Sequence, residues 1–246
     1  VSDQSPYLVI AEALRADVAG LEPGDKLPSV SVLSKRFGVV PSVIARAYGI
    51  LVGDGLVISR HGKGYYVRGP ETADLLVRRH RPRSKDSPFA QGAAEQGVVG
   101  SWQHDSATAR APASVATRLG VAEGDAVMRT EYVYLANETP VQLATSWEPL
   151  AVTGGSVIVL PEAGPAAGIG VAARMRLIDI EVGTPVERVV SRRVTQAEAV
   201  RLQCSPGEPV LFIERTYYDQ ATGRAVETAD ITALGSRWVA EYGQRP

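Results

Sequence analysis

Apolar residues near the start of the chain recur at helical spacing. Ile10, Leu14 and Val18 fall four apart, with Tyr7 and Ala11 on the same face, and predict an amphipathic helix over about Pro6–Ala19. The cluster Gly20-Leu21-Glu22-Pro23-Gly24-Asp25 ends it. Ser29 is placed to cap a short second helix carrying Val32, Leu33 and Phe37 inward, and Gly38 closes it. Pro41-Ser42 opens a third helix with a buried stripe of Ile44, Ala47, Tyr48 and Leu51; proline is tolerated in a first turn, where its missing N–H has no intrahelical partner. Two β-rich stretches follow, Leu56–Ser59 and Tyr65–Val67, around the basic tip Arg60-His61-Gly62-Lys63-Gly64.

Two short helices joined by a brief turn match a helix-turn-helix, and a hairpin after them makes a winged helix. In that geometry the exposed face of the second helix of the motif enters the major groove. That face offers Ser42, Ala45, Arg46 and Gly49, with Arg46 able to grip guanine or a phosphate. Ser29, Lys35 and Arg36 are candidates for backbone phosphates. Arg60, His61 and Lys63, flanked by Gly62 and Gly64, suit a close approach to the narrow minor groove.

From about Val98 the pattern turns to long strands interleaved with short helices. Strands are expected near Ser101–Arg110, Ala126–Ala136, Val141–Trp147, Ile178–Arg193, Val210–Asp219 and Ala225–Ala233, with helices over Pro112–Leu119 and Thr195–Leu202. Thr195 and Glu198 have the spacing of a capping box, and Asn137-Glu138-Thr139-Pro140 forms a turn. The class is α+β with an antiparallel sheet. A shift of 83 residues aligns Ala116, Arg118, Leu119, Gly124, Val127, Glu131 and Tyr134 with Ala199, Arg201, Leu202, Gly207, Val210, Glu214 and Tyr217. The repeat implies two halves facing each other across a cleft, a common place for a small ligand.

Charge separates the same two regions. Residues 1–85 hold 13 Lys and Arg against 8 Asp and Glu, a net of +5, while residues 86–246 hold 13 against 19, a net of −6. A basic module joined to an acidic one points to a polyanion partner for the first alone. The expected division is 1–69 for the winged helix, 70–97 for a linker and 98–246 for the second domain, with a start near 86 also open. The basic run Arg78–Lys85 reads either as a solvated linker or as an arm on phosphates, and Glu71–Val77 as a single helical turn.

The stretches Pro23-Gly24-Asp25-Lys26-Leu27-Pro28-Ser29, Leu33–Val39, Gly55-Leu56-Val57 and Gly62-Lys63-Gly64-Tyr65-Tyr66-Val67 resemble the GntR family of bacterial repressors. The chain departs from the family after Val39: Val40-Pro41-Ser42-Val43 stands where Ser-Arg and a Thr are usual, and Ala45-Arg46 where two basic residues are. The second half resembles the UTRA effector-binding domain of the HutC subfamily, whose fold is similar to chorismate lyase. That resemblance rests on the Leu119–Gly124–Val127 pattern, Glu138-Thr139-Pro140-Val141, Thr145-Ser146-Trp147-Glu148-Pro149, and Gly207-Glu208-Pro209-Val210 followed by Glu227-Thr228.

The resemblance implies an effector site of Phe89, Tyr132, Tyr134, Thr145 and Glu227. Relatives that sense phosphorylated sugars carry two alternate arginines where this chain has Tyr132 and Tyr134, and an acidic residue where it has Ala144. An effector that is not a phosphosugar is the expectation.

Chemistry outside this reading is thin. No G-x-S-x-G elbow, Walker loop, H-E-x-x-H or dinucleotide fingerprint occurs. One cysteine, Cys204, excludes an internal disulfide, and three scattered histidines make a zinc site unattractive, so no cofactor or metal is expected. No apolar run reaches the roughly eighteen residues of a membrane span, and no secretory leader is visible, which suits a cytoplasmic protein. The chain reads as a homodimeric, ligand-responsive repressor of a palindromic operator and not as an enzyme. The alternatives are an enzyme of chorismate-lyase-like fold and a winged-helix interaction module.

Overall fold

The computed structural model describes residues 5–60, 63–68, 76–78 and 87–242, which fall into two units, 1–73 and 74–246. In the first, α1 (Pro6–Ala19), α2 (Val30–Phe37) and α3 (Pro41–Gly53) precede a hairpin of β1 (Val57–Arg60) and β2 (Gly64–Val67). Their core is Ile10, Leu14, Leu33, Ile44, Tyr48, Leu51 and Val57. Ser29 caps α2, its Oγ accepting from the Val32 amide, and Gly38 closes it in the left-handed region that glycine enters without a Cβ penalty. The break between α2 and α3 bends the chain by 112°, as a helix-turn-helix requires. Val32, expected inward, is 55% exposed: in so short a helix Leu33 and Phe37 already hold the inner face.

The second unit is built on one six-stranded sheet. Its elements are β3 (Leu76–Arg78), α4 (Pro88–Ala94), β4 (Gly100–Arg110), α5 (Ala113–Leu119), β5 (Ala126–Ala136), β6 (Thr139–Pro149), α6 (Leu150–Thr153), α7 (Val171–Arg176), β7 (Val186–Arg193), α8 (Gln196–Leu202), β8 (Pro209–Tyr218), β9 (Ala225–Leu234) and β10 (Trp238–Ala240). The antiparallel order β4-β5-β6-β9-β8-β7 reads the same from either edge under exchange of the two repeats. The halves therefore meet edge to edge at β6 and β9 and do not face each other across a cleft. Arg118 of the first half reaches Glu214 of the second at 3.3 Å, and Arg201 of the second reaches Glu131 of the first at 3.1 Å. Both members of each pair belong to the identities of the 83-residue repeat, so the duplication in sequence becomes a reciprocal pair of ion bridges.

Three expectations change. Within 70–97, Leu76–Arg78 is a strand paired in parallel with β10, and α4 packs Phe89 and Ala93 into a core with Leu76, Val98 and Trp238. These described parts of the supposed linker belong to the second unit, and Leu76 and Val77 form strand where a helical turn was expected. The strand expected from Ile178 begins only at Val186, since α7 and its turn occupy the preceding residues, burying Met175 with Ile158 and Tyr217.

At α8 the capping box forms as expected, and Glu198 also takes two hydrogen bonds from Arg192, at 2.6 and 2.8 Å. The Arg192 hydrogen bond holds the Glu198 carboxyl down at about 2. Because the folded value lies below the unfolded one, the stability it supplies is present above the usual carboxylate range and is lost as pH falls toward 2. Glu198→Gln is expected to destabilise the chain at pH 7 and to cost much less at pH 3, as measured by urea unfolding.

Candidate nucleic-acid interface and effector pocket

In the first unit the face expected to meet DNA is exposed: Ser42, Ala45, Arg46 and Gly49 on α3, Lys35 and Arg36 on α2, and Lys63 before β2. Three of the candidate residues are already engaged. The Arg46 guanidinium lies 3.9 Å from the centre of the Tyr7 ring, Arg36 pairs with Asp17 at 3.0 Å, and the Ser29 hydroxyl is spent on its cap. Lys35 and Lys63 make no ion pair among the described residues. Gly64 takes φ +105° where the wing turns, a conformation strained for any side chain. Arg60 pairs by backbone with Gly64, while its side chain, His61 and Gly62 lie outside the described residues. Tyr48 stacks on Tyr65 at 3.9 Å and donates to the Pro28 carbonyl, which ties the wing to α3.

In the second unit a cavity of about 90 Å³ opens on one face of the sheet. Its floor is the middle of β6 and β9, where Ala144, Ser146 and Ala229 are small enough to leave space. Tyr132 and Tyr134 form one wall, their rings stacked 5.5 Å apart, and Phe89 of α4 closes it from above, 4.8 Å from Tyr134 and 6.0 Å from Trp238. Gly100 sets how near α4 lies: a Cβ there would come 2.9 Å from Ala93 and 3.1 Å from the Phe89 ring. Gly100→Ala is expected to push α4 outward and cost about 1–3 kcal/mol, read by chemical denaturation.

The structure brings Phe89, Tyr132 and Tyr134 together, with Glu227 buried beside them, and excludes Thr145. A regular two-residue hairpin at Asn137-Glu138 would set Tyr132 opposite Leu143 and leave Thr145 on its face. A bulge between Tyr134 and Leu135 moves the partner of Tyr132 to Ala144. One residue of register reverses the faces of β6. Gln142, Ala144 and Ser146 therefore line the cavity, and Thr145 lies on the opposite face beside Glu131 and Asp230.

Sequence reasoning missed Arg215, which lines the cavity and donates to Glu227 at 2.8 Å; Ser146 donates to the same carboxylate at 2.7 Å. The repeat carried the signal: 83 residues separate Arg215 from Tyr132, and Arg215 sits opposite Ala229 as Tyr132 sits opposite Ala144. Beyond Ser146, Glu148 is bound to Arg174 of α7, both fully buried. Burial lifts the Glu148 carboxyl to about 7 against the pull of Arg174, and lifts the Tyr134 hydroxyl to about 12. Burial works against the Arg215 charge, but the Glu227 carboxylate outweighs it, so the guanidinium stays charged. Cys204 is half-buried with its thiol pushed up to about 11 by burial, which leaves it a poor nucleophile. No group of His, Cys, Asp and Glu able to hold a metal occurs among the described residues, and no single helix there is long and apolar enough to cross a membrane.

Comparison with known proteins agrees with this architecture. Residues 6–67 match the gntR family of bacterial regulatory proteins, and residues 95–238 match the UTRA domain. A crystal structure of a chain assigned to the GntR family of transcriptional regulators is 36% identical, with 99% of each chain covered and a TM-score of 0.69. An HTH-type transcriptional regulator of Streptomyces coelicolor is 28% identical over 240 residues, 94% of this chain and 88% of that one. The transcriptional repressor NagR of Bacillus subtilis is 26% identical over 244 residues, 97% of this chain and 95% of its own. With a winged helix ahead of a UTRA domain, the chain belongs to the GntR family in its HutC-type subgroup, and is a ligand-responsive, DNA-binding transcriptional regulator and not an enzyme.

Proposed function

We propose that the protein is a cytoplasmic homodimeric repressor whose two winged helices occupy the half-sites of a palindromic operator, and that an effector other than a phosphosugar releases it. The effector occupies the cavity beneath α4, against Phe89, Tyr132 and Tyr134, with the Arg215–Glu227 pair at one end. The observation that carries this reading is the state of the cations at that cavity. Arg215 is closed on Glu227 and Arg78 on Glu187, so the charge of each guanidinium is already met by a carboxylate that a phosphate would have to displace. Winged helices about one DNA turn apart read two half-sites, and an effector acts by binding one arrangement of the dimer better than the other.

The test is fluorescence anisotropy of the protein on its own upstream DNA and on a scrambled control, at two salt concentrations, with sedimentation to count protomers. Preferential, salt-sensitive binding by a dimer is the expected result. Calorimetry with glucosamine 6-phosphate is expected to show no binding, and a tight complex would overturn the effector reading while leaving the DNA reading intact.

A further inference from the structure

The two halves of the sheet place different residues at equivalent positions over the cavity. Where the first half has Tyr132 opposite Ala144 and Tyr134 opposite Gln142, the second has Arg215 opposite Ala229 and Tyr217 opposite Glu227. One end of the site is thus an ion pair and the other a neutral amide among aromatic rings. Gln142 and Ser146 stand four residues apart on β6, about 13 Å at roughly 3.3 Å per residue, a length that one substituted ring can span.

Two residues lining the cavity hold buried polar atoms with no hydrogen-bond partner among the described residues. They are Oε1 of Gln142, an acceptor on a side chain 4% exposed, and Nε of Arg215, a donor. Oε2 of Glu227 behind Arg215 is also unpartnered. Leaving such groups unmet costs free energy that a bound molecule recovers by supplying the partners. The complement of this site is a donor at the Gln142 end and an acceptor at the Arg215 end.

Charge settles the rest of the chemistry. The buried ions close into pairs, Arg215 with Glu227 and Arg174 with Glu148, and the lining cation Arg78 is held by Glu187. A molecule carrying net charge would be stripped of water here with no free counter-charge to meet it.

From the cavity, its unpartnered atoms and its closed ion pairs, we infer that the effector is an uncharged, ring-bearing compound. Its ring lies over Ala144 and Ile231 beneath Phe89, a hydroxyl or N–H donates to Gln142, and an amide or hydroxyl oxygen accepts from Arg215. This rests on the cavity being the effector site.

A matched pair of probes tests it. 4-Hydroxybenzamide and 4-hydroxybenzoate share one shape and differ in charge. The amide is expected to bind the full-length protein at least about tenfold more tightly by ligand-detected NMR titration, since the acid must bury an unpaired carboxylate. Gln142→Leu, close in size, is expected to weaken the amide by about fivefold, the loss of one hydrogen bond, and Phe89→Ala to weaken it further. Equal or tighter binding of the benzoate, or binding of neither compound, overturns the inference. A benzoate that binds and is lost in Phe89→Ala would leave the cavity as the effector site and reject only the uncharged class. An amide indifferent to both substitutions would sit elsewhere, and both readings would fall.

Discussion

Arg174→Met is expected to cost about 3–5 kcal/mol of folding stability, because it strands the buried Glu148 carboxylate with no partner. Glu148 is 1% exposed and Arg174 2%. The same substitution paired with Glu148→Leu is expected to recover the whole of the loss, and to match or exceed the wild type. The pair is imperfectly met even in the native chain: Oε2 of Glu148 and Nε of Arg174 have no hydrogen-bond partner among the described residues. Two apolar side chains of similar volume remove both desolvation penalties at once. Urea unfolding of the two single variants and the double closes the cycle. Additive losses in the double variant would show that Arg174 stabilises α7 by packing and not through its charge.

The legible parts of the fold are those where local chemistry and tertiary demand coincide. Pro6, Ser29, Gly38, Pro41 and the Thr195–Glu198 box mark real helix ends because each meets an orphan backbone group or the φ of a terminus, whatever surrounds it. The repeat spacing foretold equivalent elements but not their assembly. Two halves that can pair at β6 and β9 bury their edge hydrogen bonds in one continuous sheet, and no residue pattern announces that choice. α4 escaped notice for another reason: its residues, Pro88–Ala94, sit behind a charged, proline-bearing stretch of linker-like composition, and only Phe89 signals a buried side.

The candidate effector site was half legible on similar grounds. Tyr132 and Tyr134 alternate on one strand and so had to share a face, and the structure keeps them together. Their partners across the hairpin hang on a single bulged residue, which no alternation of polar and apolar side chains in Val141–Trp147 discloses. Arg215 was hidden by its neighbours: between Glu214 and Thr216 it reads as an ordinary exposed charge. Only the register with β9 shows that it points with Ala229 into the cavity, with Glu227 buried behind it.

The joint reversal Lys35→Glu and Lys63→Glu is expected to lower operator affinity on the order of a hundredfold, since both side chains are exposed cations without ion pairs among the described residues. Alanine at either position alone is expected to weaken native and scrambled DNA alike and to lower the slope of log affinity against log salt by about 1, the mark of one lost phosphate contact. Arg36→Ala is expected to do less, because Asp17 already holds that guanidinium at 3.0 Å and its release toward a phosphate must first break the pair. Arg46 behaves differently again. Its guanidinium stacks on Tyr7 at 3.9 Å, so Tyr7→Leu leaves the cation in place while freeing its direction. If Arg46 reads a base edge from that stacked position, Tyr7→Leu narrows the preference for the native fragment over the scrambled one and leaves the salt slope unchanged. If it grips only a phosphate, the preference survives and overall affinity moves for both fragments together. Unchanged affinity in the Lys35/Lys63 reversal would reject groove docking by α3 and the wing. The same anisotropy titration at two salt concentrations reads every one of these variants, with far-UV circular dichroism confirming that each head remains folded.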